Sequence, residues 1–239
     1  MNHTTAMSPG PRSPGKPATK ADVELFNGIE RTLYTAVIAD VLDELGQRDQ
    51  AMRETIRPLS PEFAFSGRAR TILCMDVAYI PAEPYAAEIE AVDSILPGDV
   101  VVVSTGEAAS KRNAPWGELL STAARARGAR GAVVDGLVRD VKKMHQLGFP
   151  VFAAGIKPVD SKGRGLVVDY NVPVRCGEVL VQPGDLIFAD FDGIVVVPAG
   201  MVEETLRLAA EKVSRENDSR KELMEGAYLS EVYEKYGVL

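Results

Sequence analysis

The chain has 239 residues, 46% of them hydrophobic, long enough for one sizeable core or a core with arms. A net charge of −7 and a pI near 5.0 argue against a nucleic-acid surface, and no basic stretch with interleaved aromatics stands in the chain. No run of roughly eighteen apolar residues exists to span a membrane; Cys74 and Cys176, with no CxxC, read as buried free thiols in a reducing cytoplasm.

Residues 1–20 are rich in Pro, Gly, Ser and Thr and lack the apolar core of a secretory signal, so a disordered tail, or an arm across a neighbouring subunit, is expected. A single domain follows over 21–239. From Ala21 to Gly46 apolar residues recur at helical spacing, with a break at Tyr34 and Thr35 capping a second helix. Asp40 reads as a polar contact on that helix. Ser66 to Met75 reads as a strand with Arg68 and Arg70 on one face, and Pro81 and Pro84 open a helix from about Tyr85. Leu96-Pro97-Gly98-Asp99 is a turn before the buried strand Val100–Val103, and Gln182-Pro183-Gly184-Asp185 repeats the device before Leu186. Residues 107–115, including Asn113, form a loop expected to border a cleft.

Trp116 to Asp140 carries the densest information. Leu119, Leu120, Ala123, Ala124 and Ala126 give an apolar helical face, and Gly128 suits a helix C-terminus. Gly131 to Val134 is a short buried strand; Asp135-Gly136 reads as a turn; Arg139-Asp140 precede a helix that buries Val141, Met144 and Leu147. Short strands then recur at 151–155, 165–169, 174, 179–181, 186–188 and 193–197. Mixed with helices, they indicate an α/β protein with a compact β/β/α core rather than an alternating doubly wound sheet. Val202 to Lys235 is a charge-laced helix or helix pair broken near Gly226, and 201–239 suits a helical extension at a subunit interface.

In an α/β unit the amino end of a helix and the carboxyl end of the next strand share one edge of the sheet. Free amides from Gly117 to Leu120 then face Arg139 across a cleft, a clamp for a carboxylate. Glu118 and Asp140 add two carboxylates, which suit a hard cation such as Mg²⁺ that keeps several waters. Each residue also has an ordinary role open to it: Asp140 as an N-cap, Glu118 as a first-turn acid, Arg139 as a surface ion-pair partner. His145 reads as a surface or packing residue, and Lys157 is the one lysine to weigh for Schiff-base chemistry. With only His3 and His145 there is no zinc motif, and neither a G-x-S-x-G elbow nor a P-loop is present.

Gly117-Glu118-Leu119, Asp135-Gly136 and Arg139-Asp140 together resemble the pattern of the RraA-like superfamily. That group holds the class II 4-hydroxy-4-methyl-2-oxoglutarate/4-carboxy-4-hydroxy-2-oxoadipate aldolases and the regulators of ribonuclease E. The aldolases place twenty residues between an acid and an Arg-Asp pair, as Glu118 and Arg139 do here. Pro150-Val151-Phe152, Val181 to Asp185 and Ala189 to Gly193 also look like superfamily positions, and the resemblance runs from about Leu25 to Gly226. The acid is Glu118 where the aldolases usually show aspartate, and Lys143 stands where an acid is common.

The resemblance implies a swivelling β/β/α fold, a homotrimer or homohexamer, and Mg²⁺ or Mn²⁺ as cofactor. It implies that Asp140 binds the metal and Arg139 holds the pyruvyl group. The amides of Gly117, Glu118, Leu119 and Leu120 would bind the substrate carboxylate, and Glu118 would hold a water. A neighbour's C-terminal acid, placed here at Glu216, would complete the site. The expectation is a cytoplasmic lyase on a small keto acid, by aldol cleavage or by decarboxylation of oxaloacetate. The competing expectation is a non-catalytic regulator docking a ribonuclease or another protein, which has no need of Asp140.

Overall fold

A computed structural model describes residues 16–106 and 110–238; the expected tail lies outside the described residues through position 15, as do 107–109 of the cleft loop. The elements run α1 (Lys20–Thr32), α2 (Thr35–Glu44), β1 (Arg57–Pro58), β2 (Phe65–Asp76), α3 (Ala86–Asp93), β3 (Asp99–Ser104), α4 (Glu118–Ala126), β4 (Gly131–Val138), α5 (Val141–Leu147) and β5 (Val151–Ile156). They continue through β6 (Gly165–Tyr170), β7 (Val174–Cys176), β8 (Val179–Val181), β9 (Leu186–Ala189), β10 (Ile194–Val197), α6 (Val202–Met224) and α7 (Leu229–Tyr236). No helix among the described residues is long and apolar enough to cross a membrane.

One sheet runs in the order β1-β5-β4-β3-β2-β9-β10, with β6 also paired to β2. Strands β2 to β5 are parallel neighbours joined through α3, α4 and α5, whereas β9 and β10 are antiparallel. Alternate residues divide the core. Val101, Val103, Ala132, Val134, Val151 and Ala153 pack against α3, α4 and α5. Val100, Val102, Val133 and Phe152 face the hairpin β7–β8 through Val174, Cys176, Val179 and Val181. Further along the sheet, Leu186, Phe188, Val195 and Val197 bury against α1, α2 and α6. Hairpin, sheet and helices are the three layers of the expected β/β/α arrangement; a doubly wound sheet would carry helices on both faces. The run Val100–Val103, buried on both faces, is apolar without alternation for this reason.

Two expectations are corrected. Asp135-Gly136 is not a turn: β4 continues to Val138 through a register shift between Val134 and Leu137. The glycine serves close packing, since a Cβ on Gly136 would come 2.9 Å from Thr105 Cγ2, and the Thr105 hydroxyl donates to the Asp135 carbonyl at 2.5 Å. Thr35 does not cap α2 either. It is the first helical residue, and both its amide and hydroxyl donate to the Asp190 carboxylate, at 2.8 and 2.7 Å. The cap comes from the end of β9, 155 residues away. Thr19 caps α1 in a capping box with Asp22.

The two Pro-Gly-Asp turns are built alike. Gly98 and Gly184 hold φ of +87° and +92°, which glycine takes without strain, and each aspartate accepts the amide three residues before it: Leu96 at 2.9 Å, Gln182 at 2.7 Å. Asp99 also pairs with buried Arg70 at 2.9 Å, while Arg68 reaches Asp22 at 2.6 Å. Asp40 contacts Lys212 at 2.8 Å, the helix-face role expected of it.

Candidate active site

Parallel strands and the helices after them bring four chain segments to one edge: the starts of α3, α4 and α5 and the loop following β5. Between them lies a cleft of about 530 Å³, room for a small organic acid with waters. Gly117, Glu118, Leu119, Leu120, Arg139 and Asp140 all line it, so the structure brings these predicted residues together, with Lys143 beside them.

Local sequence explains the placement. Trp116 is buried and bridges to Val138 in parallel fashion; its carbonyl accepts the Arg139 amide at 3.0 Å. The Trp116 indole donates to Ser121 Oγ at 2.8 Å, and Ser121 in turn lies 3.2 Å from Met144 Sδ on α5. The start of α4 is thereby fastened beside the end of β4. The first bond inside α4 runs from the Ser121 amide to the Gly117 carbonyl, so the amides of Glu118 to Leu120 have no partner within the helix. Gly117 has no side chain to cover them. A Cβ there would stand 3.0 Å from Asp140 Oδ2 and 3.1 Å from Arg139 Cγ. A side chain there would push both of these groups back by a few tenths of an ångström.

Asp140 has φ +60° and ψ +29°, left-handed backbone that is strained for a non-glycine residue, and its side chain makes no cap bond. Its own carbonyl accepts the Lys143 and Met144 amides. The N-cap role open to it from sequence is therefore not what its carboxylate does. Oδ2 lies 3.9 Å from Arg139 Nε, and the side chain is 45% exposed in the cleft. Glu118 accepts the Thr122 hydroxyl at 3.0 Å. No group of three His, Cys, Asp or Glu among the described residues is arranged to hold a metal. One uncapped carboxylate in an oxygen-lined cleft still fits Mg²⁺, which accepts one or two protein carboxylates and keeps its waters.

Sequence reasoning missed three residues. Asp160, in the loop after β5, lies 2.9 Å from Arg139 Nη2 and accepts the Tyr85 hydroxyl at 2.6 Å. Burial pushes its carboxyl up, but the Tyr85 hydroxyl, the Lys162 amide and Arg139 outweigh this and hold it below the usual range. The bond to Asp160 raises the Tyr85 phenol. Glu88, on α3, is pushed up to about 7, first by burial and then by the charge of Asp160, against the pull of Arg139. The one available signal was position: each follows a parallel strand at its carboxyl end, where α/β proteins bind ligands.

Other candidates lie elsewhere. His145 packs on Phe63, ring centroids 5.8 Å apart, as expected of a packing residue. Lys157 donates to the Lys111 carbonyl at 2.8 Å and does not line the cleft. Asn113 is buried against Gly165 and is not part of the cleft lining, its Oδ1 without a partner among the described residues. Glu216 lies on α6, away from this chain's own cleft lining, its carboxyl raised by burial. Cys74 and Cys176 are free and buried, and burial raises both thiols.

Comparison with known proteins follows the same lines. A protein of Halalkalibacterium halodurans with the provisional name 4-hydroxy-4-methyl-2-oxoglutarate aldolase is 35% identical over 182 residues, 76% of this chain and 80% of that one. The structure of Streptomyces coelicolor RraAS2, described as an unusual member of the RNase ES inhibitor RraA family, matches at TM-score 0.75 and 31% identity. The match covers 87% of this chain and 99% of that one. An uncharacterized protein of Pseudomonas syringae pv. tomato matches at TM-score 0.76 and 26% identity, covering 91% and 99%. The model of the RraA-like (Aldolase/RraA) family matches residues 35–196, and the chain belongs to that family.

Proposed function

We propose that this protein is a divalent-metal-dependent lyase that releases pyruvate from a pyruvyl-containing acid, by aldol cleavage of the 4-hydroxy-4-methyl-2-oxoglutarate type. The observation that carries the reading is Asp140: strained, uncapped and turned into a cleft between Arg139 and the free amides of α4. A protein that only docked a partner would have no need of a carboxylate at this position.

The Glu118–Leu120 amides, reinforced by the helix dipole, bind the substrate's C1 carboxylate. Arg139 faces the adjacent keto oxygen. Mg²⁺ or Mn²⁺ held by Asp140 supplies Lewis-acid polarisation of that oxygen when bound. The C4 hydroxyl loses its proton to a water; the bond between C3 and C4 breaks, C4 becomes a carbonyl, and the electron pair moves into a pyruvate enolate. Arg139 offsets the negative charge that builds on the enolate oxygen. Glu118, helped by Glu216 from a neighbouring subunit of a trimer or hexamer, positions the water that protonates C3. Oxaloacetate reaches the same enolate by losing CO₂, so decarboxylation uses the same residues. A small keto acid rather than a nucleic acid or membrane is the partner, and the cytoplasm is the compartment in which we place the reaction.

The second reading is a non-catalytic regulator, favoured by the likeness to RraAS2. Pyruvate release from 4-hydroxy-4-methyl-2-oxoglutarate and from oxaloacetate, with Mg²⁺ or Mn²⁺ and then with EDTA, separates the two. The lyase gives release that EDTA abolishes. Release that survives EDTA overturns the metal, and no release from either acid shifts the weight to the regulator.

A further inference from the structure

Arg139 is held from outside its own strand. Its Nη2 lies 2.9 Å from Asp160 Oδ1, and the other oxygen of that carboxylate accepts the Tyr85 hydroxyl at 2.6 Å and the Lys162 amide at 3.1 Å. Asp160 cannot swing without breaking those two bonds. Tyr85 is the residue before α3, Asp160 lies between β5 and β6, and Arg139 directly follows β4. Segments that follow β2, β4 and β5 therefore meet at a single carboxylate.

The arrangement matters because an arginine's long stem has many rotamers, whereas its planar fork recognises an oxygen pair only in one orientation. Gly117 closes one side of the Arg139 stem, with Cγ 3.1 Å from where a Cβ would be. Asp160 fixes the far end. We propose that Asp160 and Tyr85 are positioning residues that set the plane of the Arg139 guanidinium for the pyruvyl group, an inference that rests on the reading of the cleft as a pyruvyl-acid site. Asp160 stays ionised to do this because the Tyr85 hydroxyl, the Lys162 amide and Arg139 together outweigh its burial.

The test is calorimetric titration of the full-length protein with pyruvate in the presence of Mg²⁺, alongside steady-state kinetics and melting curves. Asp160→Asn is expected to weaken pyruvate binding about 10- to 100-fold and Tyr85→Phe about 3- to 10-fold, the scale of losing a charged or a neutral bond to a group that must be aligned. Melting midpoints should stay near that of the unmutated protein. Tyr85→Phe, which removes one oxygen, keeps the test decisive even where Asp160→Asn folds poorly. In an Arg139→Lys background, adding Asp160→Asn should change affinity less than about 2-fold, because the fork it orients is gone; a purely structural role would leave its effect undiminished.

Asp160→Asn binding pyruvate as well as the unmutated protein, or tighter, overturns the proposal, and the tighter case would make Asp160 a competitor of the ligand. An undiminished effect in the Arg139→Lys background overturns it too. If the unmutated protein releases and binds pyruvate while the variants match it, this inference alone fails. If it neither binds nor releases pyruvate, the inference falls together with the reading beneath it.

Discussion

Asp135 lies within β4 and Asp140 two residues past its end, each beside an arginine, and their surroundings differ. Asp135 is 2% exposed; one oxygen meets Arg53 and the other accepts the Gly177 amide at 2.7 Å. Burial raises its carboxyl against the pull of those two partners. Asp140 is half-exposed, with no cap bond and Arg139 Nε no nearer than 3.9 Å. A carboxylate with both oxygens engaged inside the protein holds the fold together. One held out by strained backbone is free to take a ligand.

The sharpest way to break this contrast is to remove charge at each end. Asp140→Asn keeps a residue that tolerates left-handed backbone and should cut metal-dependent pyruvate release about 10³-fold or more, with an almost unchanged melting midpoint. A fully active Asp140→Asn enzyme would sink the metal assignment. Asp135→Ala should do the reverse. Stranding Arg53 in the interior costs about 3–5 kcal/mol, which lowers the melting midpoint by roughly 6–20 °C, with activity per folded molecule preserved. A melting curve beside a turnover assay checks both.

A smaller effect is expected at Gly117. Its substitution by alanine places a Cβ 3.0 Å from Asp140 Oδ2 and 3.1 Å from Arg139 Cγ, so both must move by a few tenths of an ångström. We expect kcat/KM to fall about 10-fold with little loss of stability; an unaffected rate would mean that the close approach has no catalytic consequence.

The smallest effect is at Glu88, which faces Asp160 and Arg139. Its folded value, about 7 against the ordinary 4.5, means the folded protein holds this proton more tightly than the unfolded chain. That contribution to stability is full below about pH 4.5 and is lost as pH rises to about 7. Denaturant unfolding of the metal-free protein across this range should show Glu88→Gln with a shallower decline than its parent. Identical slopes would remove Glu88 as the source.

What could be read from the sequence was whatever depends on local periodicity or spacing. The two Pro-Gly-Asp turns, the helix starting after Tyr85, the break near Gly226 and the meeting of Gly117–Leu120 with Arg139-Asp140 all appear in the structure. The failures share another cause. Asp135-Gly136 has the composition of a turn, but the packing of Thr105 against the glycine is non-local, and it keeps the strand going. Thr35 has the chemistry of a cap, but Asp190 supplies one from across the sheet. Tyr85, Glu88 and Asp160 belong to no motif; only the strand order brings them beside Arg139.

The Asp190 contact bears on the order in which the molecule assembles. The segment of α1 and α2 is synthesised early, yet the first amide of α2 is answered only by a carboxylate at the end of β9. A nascent chain halted before residue 186 would carry α2 with a frayed start and its apolar face uncovered, because Leu186, Phe188, Asp190, Val195 and α6 all come later. The helices α1 and α2 are thus committed to β9 and β10: they become secure when those strands arrive.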